Sequence, residues 1–283
     1  MREISYDEIV DAIKNMIIHT GTNLPEDAYQ ALKDAYDNEK SPVSKEVLRQ
    51  LLENADISAN ENKPLCQDTG LAVYFVKVGE DVKIKGGTLK NAINEGTAKG
   101  YEEGYLRAST CEPFSRANLK ESVGYNLPAI IHFDIVEGDK IDIEYAAKGG
   151  GSENVSRATV LPPAAGKQGV IEYVKQVVSD AGPNPCPPLT VGVGIGGTFE
   201  KAAISSKHAL FRSIGTVNED SEMAELEETI KDELNKLGIG AMGMGGTQTV
   251  LAVHIEANPC HIASLPVAVN VQCHSSRHTH ITL

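Results

Sequence analysis

The chain is short of cysteine: it has five in 283 residues, an odd number, and no two of them are spaced as a CxxC pair. Such a set builds neither a disulfide scaffold nor a zinc knuckle. Long apolar runs are also missing. Val191 to Ile195 and Leu265 to Val269 are among the longest, well below the roughly 20 residues that span a bilayer. No basic segment followed by an apolar run opens the sequence, which argues against secretion and for a reducing cytoplasm. Positive charge is scarce as well. A formal net charge of −13 with no Lys/Arg stripe argues against nucleic acid, although a few arginines can still make one pocket cationic. There is no solenoid-period repeat and no low-complexity linker.

What is present reads as an α+β protein, with a helical N-terminal layer over residues 1–58 followed by mixed β-sheets packed with helices, treated as one unit over 1–283. Ser5-Tyr6-Asp7-Glu8 reads as a capping box, and Ile9, Val10, Ile13, Met16 and Ile17 recur at helical spacing as far as Gly21. Pro25 marks a second helix start, and Leu48, Leu51 and Leu52 lie on a third helix. Strands are expected at Leu71 to Val78, Ala129 to Val136, Ile141 to Ala147, Leu189 to Ile195, Thr247 to Glu256 and Leu265 to Gln272. Helices are expected near 88–104, 166–180, 198–211 and 221–237. The link Val136-Glu137-Gly138-Asp139-Lys140 is expected to close a hairpin.

Three cysteines stand in turn-prone surroundings. They are Cys66 before Gln67-Asp68-Thr69-Gly70, Cys186 between Pro185 and Pro187-Pro188, and Cys273 before His274. Thiolates drawn from three separate loops suit an iron–sulfur cluster that keeps one iron open to substrate. Against this, free cysteine is often an ordinary small core residue, and composition alone admits Cys111 and Cys260 equally.

Lys148-Gly149-Gly150-Gly151 closes a strand with backbone that can approach a carboxylate. Arg107 can fork a carboxylate, and Asp68 can move a proton. His261 precedes a strand and is placed to serve as acid, base or orienting group, whereas His274, His278 and His280 read as an exposed tail. Gly192-Val193-Gly194-Ile195-Gly196-Gly197 is the rival signal. It satisfies the dinucleotide fingerprint G-x-G-x-x-G, with Glu219 and Asp220 downstream, but close strand–helix packing explains it as well.

Read in series, Pro64-Leu65-Cys66-Gln67-Asp68-Thr69-Gly70, Leu106-Arg107, Asn126-Leu127-Pro128-Ala129, Ala147 to Asn154, Cys186-Pro187-Pro188 and Gly196-Gly197-Thr198 resemble the class I fumarase family. The likeness is to its α subunit or N-terminal domain, which L(+)-tartrate dehydratase shares. The resemblance implies a hydro-lyase of the tricarboxylic acid cycle, with Cys66, Cys186 and Cys273 holding a 4Fe-4S cluster and Cys111 and Cys260 structural. It implies that Gln67, Arg107 and the Gly150 N–H bind a small dicarboxylate, and that Asp68 and His261 take part in catalysis. It further implies a separate β subunit that supplies more cations and a threonine base, in an α2β2 heterotetramer.

Overall fold

The computed structural model describes Met1–Leu283 and divides into two units, the first comprising Met1–Pro25, Ala55–Gly150 and Arg277–Leu283, the second Glu26–Asn54 and Gly151–Ser276. The expected α+β class is the one observed. In the first unit a strand not anticipated from the sequence, β1 (Arg2–Ser5), precedes α1 (Tyr6–Thr22). Ser5 still caps the helix, accepting the Glu8 N–H at 3.1 Å. Ile9, Ile13 and Ile17, one face of α1 at helical spacing, are fully buried, each contributing roughly 2 kcal/mol of apolar burial.

The helix α2 (Glu26–Asn38) and α3 (Pro42–Glu61) as far as Asn54 belong to the second unit, and from Ala55 the first unit continues with the end of α3, then β2 (Leu71–Gly79), β3 (Val82–Lys85), α4 (Leu89–Glu103), β4 (Ile130–Val136) and β5 (Ile141–Lys148). Gly96 and Gly100 let α4 lie directly on α1, since a Cβ at either would meet Ile13 or Ile17 at under 3.0 Å. The last strand of the chain, β10 (His278–Thr282), returns to this unit, whose main sheet has the order β10-β5-β2-β4.

That order corrects two sequence expectations. β4 and β5 do not form a hairpin; β4 runs parallel to β2 on one side and β5 antiparallel on the other. The reason is burial: Ala72, Val73, Tyr74 and Val76 make β2 a strand that needs neighbours on both edges. Residues 137–140 instead cross the end of β2, where the Gly79 N–H donates to the Lys140 carbonyl and the Asp81 N–H to the Gly138 carbonyl. Nor is 274–280 an exposed tail. Ser275, Ser276, Arg277 and His278 are buried, and His278 pairs with Ala146.

The second unit contains α5 (Gly150–Glu153) from its second residue, β6 (Arg157–Leu161), α6 (Gly166–Ala181), β7 (Leu189–Gly196), α7 (Phe199–His208), α8 (Ser221–Asn235), β8 (Val250–Asn258) and β9 (Leu265–Gln272), with sheet order β6-β9-β7-β8. β7 alternates strictly. Leu189, Val191 and Val193 join Val174, Val178, Ile230 and Leu234 in the core with α6 and α8, while Gly192 and Gly194 face the backbone of α7. A Cβ on Gly192 would stand 2.1 Å from the Ser206 carbonyl oxygen, and one on Gly194 would stand 2.0 Å from that of Ala202.

The glycine run therefore has a packing role that needs no nucleotide. Gly194→Ala should destabilise the protein by about 3 kcal/mol through overpacking and lower the thermal midpoint by roughly 10 °C. A midpoint that stays at the wild-type value would refute this account of the run.

Candidate active site

In the first unit the chemistry-bearing residues collect where β2 begins, β5 ends and β10 begins. The loop 64–70 is fastened there from several sides. The Leu65 N–H donates to the Gly21 carbonyl, and the Thr69 hydroxyl donates to the Arg107 carbonyl at 3.0 Å. Asn126 Nδ2 donates to the Gly70 carbonyl at 3.1 Å, and Tyr101 offers its O–H to the Thr69 and Gly70 carbonyls at 3.1 and 3.2 Å. Gly70 has φ +78, and a side chain there would strike the Ala147–Lys148 backbone at 2.8 Å, so only glycine fits. Burial pushes the Tyr101 and Tyr145 phenols above their ordinary pKa, which keeps both as neutral O–H donors, Tyr145 donating to Tyr101.

Clamping at Leu65 and at Thr69–Gly70 leaves Cys66 half-buried and Gln67 exposed, with the thiol 3.6 Å from Gln67 Oε1. Asp68 is held at three points. Its Oδ1 accepts the Gly70 N–H at 3.1 Å, Oδ2 accepts the Gly150 N–H at 2.7 Å, and its carbonyl accepts Arg277 Nη2 at 2.7 Å. The Gly150 donor expected for a substrate is thus engaged by Asp68 in this structure. Arg107 is exposed. The turn that follows it is fixed by Asn126 Oδ1, which accepts the N–H groups of Ser109 and Thr110.

In the second unit Cys186 lies in a rigid loop with φ +57, a left-handed backbone that few residues other than glycine adopt. Its carbonyl accepts the His274 N–H at 3.1 Å, and the Pro187 carbonyl accepts the Met242 N–H at 2.8 Å. The first of these bonds joins the Cys186 and Cys273 loops, and Cys273 Sγ sits 3.1 Å from Ser275 Oγ.

His261 is not with them. It occupies the exposed turn between β8 and β9, and the eight residues of β9 place it about 26 Å from Cys273 along the strand. Its Nδ1 accepts the Ala263 N–H at 3.1 Å, which leaves Nε2 to carry the proton of the neutral ring. Cys260, in the same turn, is exposed and donates to the Ser264 carbonyl. The Gly196–Gly197 bend lies at this end too, where the Gly197 N–H donates to the Pro259 carbonyl.

All five cysteines are outside disulfides, and the three in question are half-buried on loops. No three His, Cys, Asp or Glu side chains gather closely enough to share one metal ion. This is compatible with a cluster, in which each thiolate binds a different iron. A cleft of about 910 Å³ against β8 contains none of these residues, and its acids Glu26, Asp27 and Asp34 would repel a dicarboxylate. Sequence reasoning missed Tyr101, whose spacing marks it only as helical core, and Arg277, hidden in a polar segment that reads as a tail.

Set against known proteins, the chain falls among the hydro-lyases. Residues 10–282 match the model of the fumarate hydratase (Fumerase) family, and the chain belongs to that family. Similar relatives include a putative L(+)-tartrate dehydratase subunit alpha of Methanocaldococcus jannaschii, 41% identical over 95% of both chains. The L(+)-tartrate dehydratase subunit alpha of Escherichia coli is 33% identical, over 98% of this chain and 91% of its own. No helix is long and apolar enough to cross a membrane.

Proposed function

We propose that the chain is the α subunit of a cytoplasmic iron–sulfur hydro-lyase that interconverts L-malate and fumarate, with Cys66, Cys186 and Cys273 as the ligands of a 4Fe-4S cluster. When bound, a cluster with three protein ligands supplies a Lewis-acidic iron to polarise the departing hydroxyl. The chain's own residues do the rest. Arg107, which is exposed, clamps a substrate carboxylate, and Gln67 beside Cys66 orients it. The C3 proton passes to a base of the β subunit, and Asp68 gives a proton to the C2 oxygen, which departs as water; hydration of fumarate runs the same two transfers in reverse. The observation that carries this reading is the loop 64–70, fixed at Leu65 and at Asp68 to Gly70 while the Cys66 thiol and Gln67 stay accessible. His261, beyond the far end of β9 from Cys273, would take part in such a centre only from a second copy of the chain, and an α2β2 assembly is part of this proposal.

A second reading, dehydration of L(+)-tartrate to oxaloacetate, is favoured by the names of the relatives. Anaerobic reconstitution with iron and sulfide, followed by parallel assays of α alone and α with β, separates these readings. The expected result is charge-transfer absorption in the visible, a small fraction of full activity for α alone, and a higher kcat/KM for malate than for tartrate in the complex. A preference for tartrate would replace the substrate. Full activity of α alone would remove the β subunit from the mechanism, and protein that takes up no iron or sulfide would overturn the cluster.

A further inference from the structure

Arg277 is 2% exposed, among the largest fully buried side chains of the protein. Its guanidinium makes one hydrogen bond, from Nη2 to the Asp68 carbonyl, while Nε and Nη1 are buried with no acceptor. No carboxylate oxygen accepts a hydrogen bond from it. Asp68, the nearby acid, turns both carboxylate oxygens to the Gly70 and Gly150 N–H groups. The other polar neighbours, Tyr101 and Tyr145, are neutral.

An arginine carries its charge at any working pH, and a buried charge without a counter-ion costs several kcal/mol. The position is also fixed by its backbone, since the Arg277 carbonyl accepts the Ala147 N–H at 3.0 Å. A cation held in this way, with two idle donors, is built for an anion. An exchanging substrate must enter and leave, and the exposed Arg107 suits that task; a sealed guanidinium suits an anion that stays. By sequence Arg277 lies four residues after Cys273, and it grips the carbonyl of the residue two beyond Cys66.

We propose that Arg277 is the electrostatic anchor of the cluster, its free N–H groups directed at sulfide or thiolate sulfur. The proposal rests on the iron–sulfur reading above. A 4Fe-4S centre with three thiolates is an anion whose charge grows more negative on reduction, so a cation beside it raises the reduction potential and helps retain iron. Arg277 is thus a positioning residue for the metal centre and makes no contact with substrate.

The test uses the α/β complex, reconstituted anaerobically with ferrous iron and sulfide, as wild type, Arg277→Gln and Arg277→Lys. Arg277→Gln is expected to lower the reduction potential and to lose iron severalfold faster in air, while KM for malate changes less than about twofold. Arg277→Lys, which keeps the charge and so stands in should the glutamine variant fail to fold, is expected to fall between the two. Wild-type potential and iron retention in both variants would overturn the proposal. So would an unchanged potential with a raised KM, which would make the bound anion a substrate carboxylate. Wild-type protein that binds no iron or sulfide would instead sink the cluster reading itself, so the two failures are told apart.

Discussion

Replacing Cys186 by glycine is expected to leave the metal-free protein as stable as before, or slightly more stable, while abolishing iron retention and lowering hydro-lyase activity by more than about a thousandfold. The two halves of this outcome come from different physics. Cys186 has φ +57, where an L-residue with a Cβ costs about 1–2 kcal/mol. Glycine removes that strain and loses roughly 0.5–1 kcal/mol to the entropy of the unfolded chain, so the net change is small and favourable. The hydrogen bonds that shape the loop, Cys186 N–H to the Pro183 carbonyl and His274 N–H to the Cys186 carbonyl, involve backbone alone and survive the change. Only the thiol is lost. If the sulfur were an ordinary core atom, the variant would keep its iron and its rate.

Differential scanning calorimetry of the metal-free protein and iron analysis after anaerobic reconstitution read the two effects separately. Cys111→Ser is the control, since Cys111 pairs with Asn118 in an isolated bridge outside the proposed centre, and it should keep full iron content. A Cys186→Gly protein with wild-type iron content would remove Cys186 from the ligand set.

The sequence made its strongest elements legible because their signals are local. The Ser5 cap, the apolar stripe of α1, and the β-branched runs of β7 and β9 depend on neighbours within a few residues, and the structure has them within a residue or so of the expected bounds. The failures are non-local. Whether β4 meets β5 depends on β2 taking the place between them, which no turn chemistry in 137–140 encodes. The strand β10 looked like tail because His278 and His280 are polar, and it is a strand because β5 offers it an edge.

The candidate site divides in the same way. The loops around Cys66 and Cys186 were visible through their prolines and glycines. Arg277 was not, since a charged residue in a polar stretch gains meaning only from the burial around it. The separation of His261 from Cys273 follows from the length of β9, whose eight residues lie between them.

Asp68→Asn should lower kcat by roughly a hundredfold to ten-thousandfold, the range that one positioned acid–base group contributes, with KM for malate changed far less. The substitution keeps size and shape and removes the capacity to exchange a proton. It also has a structural cost that can be stated beforehand. Both Asp68 carboxylate oxygens accept backbone N–H groups, from Gly70 and from Gly150, and asparagine can offer only one oxygen. The other N–H would face an amide NH2, at about 1–3 kcal/mol for the unmet donor. The short 2.7 Å bond to Gly150 should be the one retained, so the Asx turn at Gly70 is the part that loosens.

The fall in midpoint should then stay within about 10 °C, and the loop should keep its place, because the Tyr101, Asn126 and Arg277 bonds to it do not involve the carboxylate. Iron and sulfide content measured on the same preparation decides which effect the rate reports. Normal content with a depressed kcat assigns proton transfer to Asp68, whereas a loss of activity that follows a loss of iron makes Asp68 a support for the Cys66 loop. A rate within tenfold of wild type at full iron content would leave Asp68 no part in the chemistry.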